Sequence, residues 1–228
     1  MTSSPNSNGL HRSVAVGASL AVLIAALGCD SRPSKAARGT SKTERAAGEP
    51  GLTLNCVLDR LNNPPDSFHY MYKKVSSERT DVDQEADVTP QTIDGVRRQA
   101  DGSPQPIHGV RSDPQSWQGA IAGLAGIAGM SGTVSTFNHS AAMQRESDGG
   151  SLNGYQTTHY SIDTARWDET TRQMLGSVTL GPGGFDKGDV WVTADGCPVK
   201  LVLDEEMHKK DGTLLERLHF EEAMSKKS

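Results

Sequence analysis

The feature that most constrains this chain is the alternation of apolar and polar side chains from Val190 to Glu221, broken twice by an Asp–Gly pair. Asp195–Gly196 and Asp211–Gly212 read as two-residue hairpin turns, because Asp and Gly accept the positive φ that such turns need. Turns of that length set the register. Glu206 falls opposite Arg217, Asp204 opposite His219, Leu203 opposite Phe220, and Val192 opposite Val199. One face then carries Val190, Val192, Val199, Leu201, Leu203, Leu218 and Phe220. The other carries Lys200, Asp204, Glu206, Arg217, His219 and Glu221, with Trp191 over Lys200. The expectation is an antiparallel sheet with one buried and one wet face.

Upstream, Leu54, Val57, Leu58 and Leu61 recur at helical spacing and Asn62-Asn63-Pro64-Pro65 ends the run, with Leu52 and Cys56 on the opposite side. Phe68, Tyr70 and Tyr72 alternate with polar neighbours, as in a strand. Residues 76–111 are polar and turn-rich. Ala86 and Val88 suggest an exposed strand there, and Asp94–Gly95 and Asp101–Gly102 suggest turns. Asp113–Pro114 is a helix start, with Asp as N-cap and Pro in the first turn. The helix expected over residues 117–130 places Trp117, Ile121, Leu124 and Ala128 on one face, and Gly119, Ala122, Gly123 and Gly126 on the other. Its four glycines, Gly129 included, cost about 4 kcal/mol against alanine. Either a backbone packs on the bare face or the helix is a mobile lid. A lid would lay its bulky face over the C-terminal sheet near Leu201, Leu203, Leu218 and Phe220. A further strand is expected over residues 154–163, with Tyr160 and Ile162 on one side, then a short helix ending at Gly176.

The N-terminus carries a different signal. Arg12 precedes an apolar run over residues 14–27, which is the length of a signal-peptide core and short of a membrane span. The run ends in Ala25-Ala26-Leu27-Gly28-Cys29, which resembles a lipobox. That resemblance implies cleavage of residues 1–28, a lipid on Cys29 and acylation of the new amine. Asp30 resembles an inner-membrane retention signal. The protein is then expected in the cell envelope, lipid-anchored and facing the periplasm or exterior. Residues 30–50 hold almost no large apolar side chain and read as a tether of about 25 Å r.m.s. span. Residues 51–228 remain for one domain, which would bury roughly 70% of its unfolded surface. Arg12 is the only charged residue in 1–28, so the processed chain has 22 basic against 28 acidic side chains, a net of −6. Without a basic stripe it lacks the electrostatic footprint of a nucleic-acid binder.

No catalytic residue is assigned. There is no G-x-S-x-G elbow, and His69, His108, His139, His159, His208 and His219 make no metal-ligand spacing. No cofactor is expected. Export makes Cys56 and Cys197 candidates for a disulfide, with two separate buried thiols as the competing reading. The candidate site is apolar: Phe68, Tyr70, Tyr72, Trp117, Ile121, Leu124, Leu201, Leu203, Leu218 and Phe220. These residues make either a ligand cavity or an ordinary closed core.

Behind a lipobox, the order of helix, strands, internal helix and C-terminal meander resembles the LolA/LppX-like half-barrel carriers. So do the phrases Gly154-Tyr155-Gln156-Thr157-Thr158-His159-Tyr160 and Val190-Trp191-Val192-Thr193-Ala194-Asp195-Gly196-Cys197-Pro198-Val199. The resemblance implies an α+β fold: a curved antiparallel β-sheet, or half-barrel, with helices across its apolar face, holding acyl chains. The expected function is a membrane-anchored lipoprotein that binds or carries an apolar, lipid-like ligand and is not an enzyme. The alternative is a structural or protein-interaction lipoprotein with a closed core.

Overall fold

A computed structural model describes residues 56–77, 80–124, 137, 140–176 and 184–227. The signal segment, Cys29, the tether, Leu52, Leu54, Gly126, Ala128, Gly129, Met130 and His139 lie outside the described residues. Nine strands form one antiparallel, open, curved sheet accompanied by a few short helices. The strands are β1 (Phe68–Ser76), β2 (Thr80–Val88), β3 (Thr92–Arg98), β4 (Pro104–Val110), β5 (Met143–Leu152), β6 (Tyr155–Asp163), β7 (Phe185–Thr193), β8 (Pro198–His208) and β9 (Leu214–Lys226). Their order across the sheet is β4-β3-β2-β1-β9-β8-β7-β6-β5, so the last strand closes onto the first and joins two meanders. One hydrophobic cluster spans Cys56 to Met224. No helix among the described residues is long and apolar enough to cross a membrane.

The C-terminal meander follows the alternation. Glu206 opposes Arg217, Asp204 opposes His219 and Leu203 opposes Phe220. Val192, however, opposes Pro198 and not Val199, after a register shift at Trp191. The Asp–Gly loops account for the shift. In Thr193–Cys197 and Lys209–Thr213, the glycine N–H donates to the carbonyl three residues back and the glycine sits at positive φ. This is a type I turn closed by a glycine bulge, one residue longer than the expected loop. Gln99–Ser103 repeats the arrangement at Asp101–Gly102.

Residues 76–111 contain β2, β3 and β4 where mostly turns were expected. Asp94–Gly95 lies within β3. A Cβ at Gly95 would stand 2.3 Å from the Glu85 carbonyl oxygen, so glycine there permits the close approach of β2. The polar edge strand β5 was not anticipated; most of its side chains are exposed.

Helix α1 (Cys56–Asn62) buries Cys56, Val57 and Leu61, while Leu58 is exposed. The buried stripe is therefore turned from the expected one, toward Cys56. The cause is covalent: Cys56 is disulfide-bonded to Cys197, with Cα atoms 5.5 Å apart. Arg60 adds an ion pair to Asp195 at 3.1 Å, tying the same helix to the β7–β8 turn.

Helix α2 (Pro114–Gly123) starts as expected, with the Asp113 carboxylate accepting from the N–H groups of Gln115 and Ser116. It is capped at Leu124, and its principal contacts are with β4 and β3. Over its described residues it therefore packs mainly on β4 and β3, not on β8 and β9, which carry Leu201, Leu203, Leu218 and Phe220; residues 125–130 of the expected lid lie outside the described residues. Nor do its glycines make a tight contact. A Cβ at Gly119 would meet nothing within 4 Å, and one at Gly123 would make ordinary contact with Ile107. The close approach lies on the strand side, where a Cβ at Gly109 would stand 2.6 Å from that of Ala120. Gly119→Ala should thus raise stability by about 0.5–1 kcal/mol through helix propensity. Gly109→Ala should lower it by about 1–3 kcal/mol through overpacking. Two thermal melts check the pair: a lower midpoint for Gly119→Ala, or an unchanged or higher one for Gly109→Ala, would refute the packing described.

Candidate functional site on the concave face

Alternation places every second residue of each strand on the side that α1 and α2 cover. One row crosses the sheet through directly opposed residues: Gln84, Tyr72, Glu222, Leu201, Val190 and Tyr160. The next holds Lys74, Phe220, Leu203, Gly188 and Ile162. A third holds Ser76, Leu218, Glu205 and Asp186. All ten residues expected to line an apolar site belong to the hydrophobic core or pack on it. Phe68, Tyr70, Tyr72, Trp117, Ile121, Leu124, Leu201, Leu203 and Leu218 are buried, and Phe220 is partly buried. The fold brings the β1, β8 and β9 members together. Trp117, Ile121 and Leu124 join the same core from α2, over β4 and β3. Phe68 and Trp117 also line cavities, of about 460 and 350 Å³.

Polar groups interrupt this face, and the apolar reading did not include them. Glu222 is 1% exposed and accepts a 2.8 Å hydrogen bond from the Tyr70 hydroxyl. Gln84, fully buried, also bonds Tyr70. Burial, and then the charge of Glu222, holds the Tyr70 phenol well above its ordinary range, so it stays a donor. Further along, Asp186 and Glu205 oppose each other across β7 and β8. Asp186 is 7% exposed, and its carboxyl is pushed up to about 7, by burial first and then by the charge of Glu205. Glu205 is raised by burial, while Lys74 partly offsets the effect and Glu216 adds to it. The Thr164 hydroxyl donates to the Asp186 carbonyl and accepts from its N–H, which fixes the backbone there. Yet Asp186 Oδ1 is buried with no hydrogen-bond partner among the described residues.

The signal for these carboxyls was present in the alternation. Glu205 is in phase with Leu201 and Leu203, Glu222 with Leu218 and Phe220, and Asp186 with Val190 and Val192.

The convex face has a different chemistry. His69 pairs with Asp87, His108 with Asp94, His159 with Asp189 and His219 with Asp204, at 2.6–2.9 Å, and His208 pairs with Glu206 at 3.1 Å. His159 also stacks on Trp191, and Lys200 lies 5.4 Å from that ring. Among the described residues, no group of three or more His, Cys, Asp or Glu side chains is placed to hold a metal ion. No protein-family model matches the chain, and no curated protein matches it.

Proposed function

We propose that the protein is a lipid-anchored lipoprotein of the cell envelope that binds or carries an apolar, lipid-like ligand on the concave face of its sheet. The observation that carries this reading is the set of carboxyls on that face. A closed core gains nothing from Asp186 and the half-buried Glu205 turned toward it, because burying a carboxyl costs several kcal/mol unless it is fully paired. Asp186 and Glu205, whose carboxyls burial raises, are groups of the kind that cluster at functional sites. The open curved sheet and the resemblance to half-barrel carriers support the same reading. The segment ending in Gly28–Cys29 supports the anchor, since a thioether-linked diacylglyceryl group and an N-acyl chain add about 0.8 kcal/mol per buried methylene.

A second reading, a structural or interaction lipoprotein, draws on the burial of nine of the ten apolar candidates and on the row of His–carboxylate pairs outside. Two experiments separate the claims. Cys29→Ser should leave an unprocessed precursor that takes up no labelled palmitate; equal labelling of mutant and wild type would refute the anchor. Titration of the chain from residue 51 with phenylnaphthylamine should give saturable fluorescence near one site per chain. A linear, unsaturable response favours the closed core.

A further inference from the structure

We propose that the Asp186–Glu205 end of the concave face is a head-group site for an amphiphilic amine: an apolar chain ending in a protonated nitrogen. This rests on the ligand-binding function proposed above and specifies its ligand class.

The face is graded along the strands. Around Tyr70, Leu201 and Val190 the opposed residues are apolar or, like Glu222, already bonded. Two rows on, Glu205 on β8 faces Asp186 on β7, and Glu216 on β9 faces Met207 beyond them. Three carboxyls thus gather where the strands run on from Leu203, Leu218 and Phe220. The described cation among them is Lys74 on β1, whose Nζ lies 5.8 Å from the Phe220 ring and whose charge acts on Glu205. Asp186 receives no such help. The residue is 7% exposed, and Oδ1 meets no donor among the described residues. A buried acceptor left open beside a second carboxyl is complementary to a hydrogen-bond donor that brings positive charge. A primary ammonium supplies three donors and one charge on a compact head. A carboxylate head would add negative charge beside these carboxyls, and an alcohol would bring a donor without charge. Leu203, Leu218 and Phe220, in the adjoining positions, offer the chain an apolar surface.

The test is competition of dodecylamine, dodecanol and dodecanoate for the phenylnaphthylamine site of the chain from residue 51, each below its micellar concentration. The proposal expects dodecylamine to bind about tenfold or more tighter than dodecanol, the ratio that one charge-assisted hydrogen bond supplies. Dodecanoate should be the weakest. Asp186→Asn should bring the amine to within about twofold of the alcohol while leaving alcohol affinity in place. Glu205→Gln should narrow the ratio in the same direction, so a folding defect in one variant does not decide the matter. Equal binding of the three in the wild type, or an unchanged ratio in both variants, overturns the amine site and leaves the ligand-binding function standing. If none of the three displaces the probe, both fall.

Discussion

Removing the Cys56–Cys197 bond is expected to cost the domain about 4–5 kcal/mol, because it closes a loop with a sequence separation of 141 residues. The loss should fall first on α1. Seven residues make too short a helix to persist alone, and its other described link to the β7–β8 turn is the Arg60–Asp195 pair. That pair is partly solvated and is worth at most about 1 kcal/mol. A double Cys56→Ser, Cys197→Ser chain should therefore show a lower denaturant midpoint and lose hydrogen-exchange protection in residues 56–62. Protection in β8 and β9 should outlast that of the helix. An unchanged midpoint would mean that α1 is held by packing alone.

The second large effect is pH-dependent. The Asp186 carboxyl is raised from 3.8 to about 7 in the folded protein, so between those values the folded state holds a proton that the unfolded chain has released. Stability from this group is complete below the unfolded pKa and is lost as pH rises through the folded one. The loss is a few kcal/mol, about 4 at most. Glu205, raised in the same direction, adds to the decline. Asp87, whose carboxyl is held down by Lys227 and His69, acts in the opposite sense at acid pH, where it loses its ion pairs. The difference between wild type and Asp186→Asn isolates the one group. Near pH 4 the two should melt together, and near pH 8 the asparagine variant should be the more stable. A constant difference across that range would show that Asp186 is not held in an unfavourable charged state.

How much of this was legible in the sequence depended on which side chains each strand turns inward. In β7, β8 and β9 the inward positions hold Val190, Val192, Leu201, Leu203 and Leu218, so alternation alone gave the strands and most of their pairing. In β2 and β3 the inward positions are Val82, Gln84, Ala86, Val88, Ile93, Gly95 and Arg97, so Gln84, Gly95 and Arg97 interrupt the apolar series, and the outward ones include Asp83, Glu85, Asp87, Asp94 and Arg98. Periodic hydrophobicity is weak there, and these strands are held by ladder bonds to neighbours with stronger patterns. Asp94–Gly95 looked like a turn because its glycine serves a close strand approach and not a positive φ. Strand β5, at the exposed edge with Gly149 and Gly150, carries almost no apolar pattern. The start of α2 at Asp113–Pro114 was legible from its capping residues, and residues 125–130 of the expected helix lie outside the described residues. Of the site, the apolar wall was visible and its acids were not. Carboxyls near hairpin ends read as solvated, and only continuing the alternation of Leu201 and Leu203 to Glu205 turns them inward.

The claim most open to direct test is that the concave face holds a ligand. The measurement is a mass spectrum of an organic extract from the chain beginning at residue 51, purified without detergent from cells that export it. The account predicts one class of apolar or amphiphilic molecule, recovered at close to one per chain and depleted when Leu203→Arg places a charge in the middle of the face. An extract free of such molecules, from protein that also takes up no phenylnaphthylamine, would contradict it and leave a closed core.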